Sequence, residues 1–307
     1  MADASPSLHD LLLLSVSVRD QTEKPEAVSV AHLPRLQKLV CGGQWPAVAS
    51  LISHLHAPIL SDVRLPTPDP EAPGDTLPDF HANLRALKAS SSTLRTLHLA
   101  LPSEWPPLGP GRRPLADILQ PLFFLPLLEE FKLLYPETSF SPTDDDFAAL
   151  ARAWPALRRL HIAPPYFKAP VAAGDASFAS LLHLARHCPH LETVLLFDAL
   201  ANFHGAALCT DLPPPAVRMR SPRLRGAGED LAVRPEAPAI ATLLERVFPN
   251  LQLSESYFWV QNPEECQSST TWTAVIQVIS ERRDEDVFRN LYDAELDNDS
   301  FLSYWIF

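Results

Sequence analysis

A short pattern of proline and leucine recurs along the chain. It has the form Pro-x-Leu-x-x-φ-x-φ, where φ is an apolar residue, and two clear copies are Pro155–Ile162 and Pro189–Leu196. The first leucine of each copy, here called the anchor leucine, returns every 24 to 34 residues. Such a period is typical of repeat proteins, whose units are too small to bury their apolar faces alone and therefore stack. The nine anchors are Leu8, Leu36, Leu60, Leu94, Leu128, Leu157, Leu191, Leu224 and Leu251.

Helix-like segments precede the anchors. Residues 143–154 begin with Thr143, a good N-cap residue, and continue with three aspartates that suit the first turn of a helix. In residues 239–248 the apolar side chains recur at helical spacing. Each repeat is therefore predicted to be a helix, a turn, a short strand and a loop. The sequence thus predicts an α/β fold: a leucine-rich-repeat-like solenoid with a parallel sheet on its concave face and helices on its convex face.

The repeat pattern divides the chain into three parts. Residues 1–251 are predicted to form an irregular solenoid, because four copies end in proline where the usual motif has Asn or Cys. Within it, residues 201–238 are rich in proline and arginine, which predicts an extended insertion. Residues 252–283 are predicted to be a capping segment with a tryptophan-bearing helix, and residues 284–307 an acidic tail. The four prolines are Pro68, Pro102, Pro136 and Pro165.

Two positions of each predicted strand should face away from the helices. If the anchor is position one, the apolar residues at positions four and six point inward, and positions three and five line the concave face. Position five is occupied by basic residue types in four successive strands. We interpret this row as a cationic stripe that binds an acidic or phosphorylated segment of a protein target. The alternative is a set of solvated side chains with no binding role. The row is Arg64, His98, Lys132 and His161.

Positions two and three are predicted to hold ion pairs between neighbouring strands. Position three places Glu130 beside Arg159, and these two residues join the candidate partner-binding set. Position two alternates in sign along five successive repeats. Opposite charges on adjacent strands attract, so these columns should keep the strands in register, although exposed pairs stabilise a fold only weakly. The predicted position-two column is Arg95, Glu129, Arg158, Glu192 and Arg225.

The net charge of the chain and the motifs that it lacks argue against several classes of function. A formal net charge of −12 argues against nucleic acid and anionic membranes as partners, because both attract a surplus of Lys and Arg. The chain has only nine glycines and no glycine-rich phosphate-binding motif. It also lacks the motifs typical of serine, cysteine and metal-dependent hydrolases. We therefore expect no enzymatic activity and no cofactor.

One segment has a spacing that could hold zinc. Residues 183–190 contain three histidines and Cys188, and structural zinc needs four converging ligands. Cys188 takes the place that Trp154 has in the preceding repeat, which should belong to the core. No metal site is therefore expected.

The spacing of the four cysteines indicates in which cellular compartment the protein is found. The closest two of the four are 21 residues apart, so no CxxC pair is present. This usage is typical of reduced thiols in an intracellular protein, in the cytoplasm or the nucleus. The cysteines are Cys41, Cys188, Cys209 and Cys266.

Four segments resemble the C-terminal repeat regions of fungal F-box/leucine-rich-repeat proteins. They are residues 150–162, 184–196, 240–251 and 270–280. The resemblance implies a non-enzymatic module that recruits a protein target, while an N-terminal F-box would dock the Skp1 adaptor of a cullin-RING ubiquitin ligase. The helical opening of an F-box is absent, so Skp1 and cullin are expected partners only if an F-box is encoded upstream. The alternatives are a truncated or F-box-less paralogue, acting as a scaffold or having no function, and an enzyme of unrecognised type.

Overall fold

The computed structural model describes the chain in several stretches separated by gaps. Four prolines predicted to end strands, at positions 68, 102, 136 and 165, lie outside the described residues, as does the predicted acidic tail, 284–307. The described residues are 8–16, 30–66, 77–101, 114–134, 142–163, 176–197, 212–213, 215, 221–225, 237–252 and 270–283.

Eight strands of the described stretches form one parallel sheet. They are β1 (Asp10–Val16), β3 (Lys38–Gly43), β5 (Asp62–Leu65), β6 (Thr96–Ala100), β7 (Glu130–Leu134), β8 (Arg159–Ala163), β9 (Thr193–Phe197) and β10 (Ser221–Arg225). Their order in the sheet follows their order in the chain. Two short strands, β2 (Ala31–His32) and β4 (Leu55–His56), form a separate parallel pair. Parallel neighbours need crossover connections, and each connection between β3 and β9 contains a helix.

In the described residues, seven helices accompany the strands. They are α1 (Trp45–Ser53), α2 (Leu77–Ala86), α3 (Leu115–Leu119), α4 (Asp144–Ala153), α5 (Phe178–His187), α6 (Ala237–Val247) and α7 (Thr270–Arg283), with 3-10 turns at Leu87–Ser90 and Gln120–Leu122. Successive helices pack on one another, as α1 does on α2, α4 on α5 and α6 on α7. The predicted α/β class with a parallel sheet is therefore confirmed for the described residues.

The start of α4 shows how local sequence sets a helix boundary. The Thr143 hydroxyl accepts the N–H of Asp146 at 3.2 Å, and the Asp146 carboxylate accepts the N–H of Thr143 at 2.8 Å. This reciprocal capping satisfies two donors that a helix start otherwise leaves without partners. The N-cap predicted at Thr143 is confirmed.

Seven of the anchor leucines lie in the core, and the six from Leu36 to Leu191 form a row across adjacent repeats. Each of the seven closes a tight turn; for example, the N–H of Leu157 donates to the carbonyl of Trp154 at 3.1 Å, and the N–H of Leu191 donates to that of Cys188 at 3.1 Å. Burying one leucine side chain stabilises a fold by about 1.5–3 kcal/mol, so the row accounts for a large part of the core. The anchors at no more than 2% exposure are Leu36, Leu60, Leu94, Leu128, Leu157, Leu191 and Leu251.

Strand residues alternate between the two faces of the sheet, as their period of two requires. Position four is fully buried against the helix side, for example at Leu97, Phe131 and Leu160. Positions three and five are only partly buried at Glu130 and Lys132, whereas Leu195 at position five is buried. The core therefore lies on one side of the sheet, and positions three and five line the other side, which we call the open face.

Position two ties neighbouring strands together through the backbone. The carbonyl of Arg95 accepts two N–H groups from the next repeat, that of Glu129 at 2.7 Å and that of Glu130 at 2.9 Å. A forked acceptor of this kind fixes how far one strand can slide past the next. The same fork recurs at the carbonyls of His9, Gln37, Ser61, Glu129 and Arg158.

Strand β10 corrects the predicted eighth repeat. Leu224 pairs with Leu196 and Arg225 pairs with Phe197, so Leu224 occupies position six and is not an anchor. Arg225 therefore does not belong to the position-two column, and Arg223 continues the position-five row beside Leu195. A single Pro-x-Leu match cannot set a register, because register follows from the backbone bonds to the neighbouring strand. Strand β10 also lies inside the segment predicted as an insertion, 201–238.

Helix α7 packs against α6 at the C-terminal end of the described chain. Val275 and Ile279 are fully buried. Arg283 donates to the carbonyl of Leu251 at 2.7 Å, and Arg282 forms an ion pair with Glu245 at 3.0 Å. The described part of the predicted capping segment thus covers the last helix of the repeats. None of the helices in the described stretches is long and apolar enough to cross a lipid bilayer.

Replacing an anchor leucine should destabilise the whole fold. Leu157→Ala removes a fully buried side chain and leaves a cavity, so we expect the free energy of unfolding to fall by about 2–5 kcal/mol. Urea unfolding measures this change. The matched control is Leu12→Ala, because Leu12 is 58% exposed, and its effect should stay within about 0.5 kcal/mol. Equal effects of the two substitutions would contradict the role assigned to the anchors.

Candidate functional site

The predicted position-five row is present on the open face. Arg64 pairs with His98, His98 with Lys132, and Lys132 with His161, each on adjacent strands. Neighbouring strands lie about 4.8 Å apart, so the four side chains are close neighbours. The predicted register is confirmed for these strands, and the partner-binding role of the row stays a prediction. The row begins with Leu12 and Val40 and continues after His161 with Leu195.

The carboxylate of Glu130 joins three basic side chains at the centre of the open face. One oxygen accepts a hydrogen bond from Nε2 of His98 at 2.9 Å and lies 3.1 Å from Nζ of Lys132. The other oxygen accepts from Nη1 of Arg159 at 2.7 Å. The Glu130 side chain is only 14% exposed, whereas that of Arg159 is 53% exposed. We call these four residues the Glu130 cluster.

The protonation states in the Glu130 cluster follow from burial and from charge. Burial alone raises the pKa of Glu130, but the hydrogen bond from His98 and the charge of Lys132 outweigh it and hold this pKa well below its usual range. Burial lowers the pKa of His98, and the hydrogen bond to Glu130 opposes that effect only in part. Glu130 is therefore charged and His98 neutral at pH 7, and His98 donates its Nε2 proton to the carboxylate.

The row carries less positive charge than its sequence predicts. His98 is neutral, and Lys132 shares the carboxylate of Glu130. Arg64 binds the Asp62 carboxylate with two nitrogens, Nε and Nη2, each at 3.2 Å. Asp62 and Arg64 lie two residues apart in one strand, so both side chains point to the open face. Beside the row, Arg159 is more exposed, at 53%, than Arg64 at 25% or Lys132 at 19%.

The predicted position-two ion pairs are present from Arg95 to Glu192, whereas Arg225 lies outside the column. Glu129 lies between two arginines, 3.4 Å from Arg95 and 3.8 Å from Arg158. Arg158 also reaches Glu192 at 2.6 Å. These side chains are partly exposed, so the pairs favour the register without adding much stability. They also leave the flank of the open face close to neutral.

The cysteines of the described residues are core residues. Burial raises the pKa of Cys188 to about 12 and that of Cys41 to about 11, so both thiols stay protonated at pH 7. The sulfur of Cys188 lies 3.5 Å from the carbonyl oxygen of Trp154, one repeat earlier. Cys188 is thus directed into the core and away from a site shared with His183 or His190. In the part of the chain that the structure describes, no three His, Cys, Asp or Glu residues converge on a common point.

Two aspartates of α4 have roles that their helical position does not reveal. Asp146, which is 2% exposed, accepts the N–H of Ala116 in α3 at 2.7 Å. Asp144 accepts the N–H of Ser177 at 2.8 Å and the hydroxyl of Ser180 at 2.6 Å. The sequence indicates only that both suit a first helical turn. Their links to the helices on either side depend on how the repeats stack.

The comparisons with known proteins identify no family. No protein-family model matches the chain, and no curated protein matches its sequence. A solved structure, the leucine-rich repeat-containing protein LegL7 from Legionella pneumophila, aligns with a TM-score of 0.32 and 10% sequence identity. The alignment covers 80% of this chain and 82% of that chain. A TM-score of 0.32 is too low to establish a shared fold. The strand pairing and the buried anchors define the fold of this chain.

Replacing Glu130 by Gln should reduce the loss of stability in acid. The pKa of a glutamate is about 4.3 in an unfolded chain, and it is lower in the folded protein. The stabilising contribution of the Glu130 carboxylate is therefore complete above this value and is lost as the pH falls towards the folded-state pKa. We expect the Glu130→Gln variant to be less stable at pH 7 and to lose less free energy of unfolding between about pH 5 and about pH 2. Urea unfolding across this range measures both effects.

Glu281→Gln provides the control for the acid experiment. Glu281 is exposed on α7 and accepts a hydrogen bond from Gln277 at 2.9 Å. Its variant should keep the acid dependence of the unmodified chain. If Glu130→Gln also kept that dependence, the carboxylate would not have the stabilising role that its contacts indicate.

Proposed function

We propose that the chain is a non-enzymatic protein-recognition module whose partner docks on the open face of the sheet. The observation that carries this proposal is the Glu130 cluster, in which a largely buried carboxylate holds basic side chains at the centre of that face. We also propose that the sheet and helices form a leucine-rich-repeat-like solenoid with the open face concave. Repeat proteins use such a surface for binding.

The position-five row is long enough for an extended peptide segment. From Leu12 to Leu195 it crosses seven strands, a span of roughly 29 Å at about 4.8 Å for each step. An extended segment of about nine residues has the same length, at about 3.3 Å per residue. Such a segment would lie across the strands and meet the apolar side chains of Leu12 and Val40 near the start of the row and polar side chains at its centre.

The chemistry of the cluster favours an anionic group on the partner. Lys132 has three N–H donors and Arg159 has five, and Glu130 accepts from each side chain. With His98 neutral, the cluster has two positive charges and one negative charge. The remaining donors of Lys132 and Arg159 can bind a carboxylate or a phosphate, while Glu130 limits the side-chain freedom lost on binding. We therefore propose that the partner segment is acidic or phosphorylated.

The test is affinity capture with variants that remove charge but keep hydrogen-bond donors. The double variant Lys132→Gln with Arg159→Gln should reduce the recovery of the partner at least about tenfold, because it removes both cations at the centre of the face. The control is Lys88→Gln, since Lys88 is exposed in the 3-10 turn that follows α2. It should recover as much partner as the unmodified chain. Thermal unfolding of all three proteins shows whether the double variant remains folded.

A second measurement identifies the chemistry of the bound segment. The segment of the recovered partner is synthesised in neutral, acidic and phosphorylated forms, and each is titrated by fluorescence polarisation. The acidic and phosphorylated forms should bind more tightly than the neutral form, and their advantage should shrink at high salt. Equal affinity for all three forms, or unchanged capture by the double variant, would contradict binding at the Glu130 cluster.

A ligase-adaptor role is a narrower hypothesis within this proposal. Its support is the resemblance of residues 150–162 and 184–196 to the repeats of F-box proteins. We propose an intracellular location on the same basis and because Cys41 and Cys188 are free. Skp1 and cullin in the captured material would support the adaptor role. A stable partner without them would indicate a scaffold.

A further inference from the structure

Two histidines lie side by side on the separate β2–β4 pair, away from the Glu130 cluster in sequence. His32 and His56 are register partners on the two parallel strands. Both side chains are exposed. Their ring centres are 5.0 Å apart, and the ring planes are inclined at 59°.

The backbone on either side holds the two histidines in place. The N–H of Ala31 donates to the carbonyl of His54 at 2.9 Å, and the N–H of Leu33 donates to the carbonyl of His56 at 3.0 Å. Leu33 is buried, so the strand that carries His32 is fastened to the core. A ligand that binds both rings therefore has to order only their side-chain torsions, which keeps the entropic cost of binding low.

The separation of the rings is close to that of two imidazoles on one metal ion. A zinc-bound imidazole nitrogen lies about 2.0–2.1 Å from the metal, which places the ring centre about 3.2 Å from it. Two such rings at a tetrahedral angle of about 109° have centres about 5.2 Å apart. The observed separation of 5.0 Å between His32 and His56 matches this value.

We propose that His32 and His56 bind one divalent transition-metal ion of the zinc, nickel and copper group, through one ring nitrogen each. Neutral imidazole is a preferred ligand of these metals, whereas magnesium and calcium prefer oxygen donors. Water fills the remaining coordination positions. The site is an exposed two-histidine chelate that leaves positions open, and it differs from a structural zinc site with four protein ligands.

The other closely spaced pair, His183 and His187 on α5, is less suited to a cation. Burial lowers the pKa of His183, and the positive charges of Arg186 and Arg152 act in the same direction, against the nearby Asp144. Two arginines near a ring disfavour a bound metal ion for the same electrostatic reason. This pair nevertheless supplies a competing hypothesis that substitution can test.

Zinc titration by calorimetry and copper titration by electron paramagnetic resonance test the proposal, using the full chain without a histidine tag. One Zn²⁺ should bind per chain, and the Cu²⁺ spectrum should show two coordinated nitrogens. Copper should bind more tightly than zinc, as the usual order of divalent affinities requires. Binding should weaken in acid, because only deprotonated imidazole binds the metal.

Single substitutions assign the ligands. His32→Gln and His56→Gln should each weaken Zn²⁺ binding at least about tenfold, because the remaining imidazole binds alone. His190→Gln is the matched control and should leave the affinity unchanged, since His190 is exposed in the turn between α5 and β9, several repeats away from His32. Circular dichroism verifies that each variant is folded.

Three outcomes would overturn the proposal. They are the absence of Zn²⁺ binding, unchanged binding in the His32→Gln and His56→Gln variants, and loss of binding in a His183→Gln variant instead. The copper spectrum of the unmodified chain needs no variant, so the number of coordinated nitrogens remains a test even if a substitution unfolds the protein. None of these outcomes depends on the partner proposed for the open face.

Discussion

The fork of hydrogen bonds at position two is the constraint on which the rest of the structure depends. The position-two carbonyls from His9 to Arg158 each accept two N–H groups from the next repeat, as that of Glu129 does from Arg158 and Arg159. The fork aligns the strands, and the alignment places each anchor from Leu36 to Leu191 beside the next anchor. A row of buried leucines and an ordered open face are therefore two results of one backbone arrangement. The ion pairs at position two follow this alignment and do not create it.

The open face combines alignment with charge compensation. Columns of like residues would place equal charges about 4.8 Å apart, which is unfavourable. In this chain Asp62 neutralises Arg64 within one strand, and Glu130 offsets part of the positive charge of Lys132 and Arg159. The burial of Glu130 would be costly without these donors. The same contacts hold the basic groups in place, so one set of interactions both stabilises the sheet and orders the basic side chains of the open face.

Much of the fold could be predicted because the repeat is local and frequent. Seven anchors, the strand register from β1 to β9 and the N-cap at Thr143 all follow from residues a few positions apart. The prediction failed at Leu224, where a single Pro-x-Leu match stood alone and β10 pairs in a different register. The positions of the site residues could be predicted from the sequence, but the protonation states and ion pairs that set the net charge of the site could not. The neutral state of His98 depends on burial and on Glu130, which lies 32 residues away.

The sequence by itself determined which residues face the core and which face outward, because period-two strands and helical spacing are properties of a short segment. It also determined which residues are neighbours on the open face, because successive strands with the same pattern pair in the order in which they occur in the chain. Only the tertiary structure decided which charges meet, that Asp144 and Asp146 link three helices, and that His32 lies 5.0 Å from His56. These contacts join side chains of different repeats. The distances between these side chains depend on their conformation and burial once the repeats have stacked. The sequence of a single repeat does not contain this information.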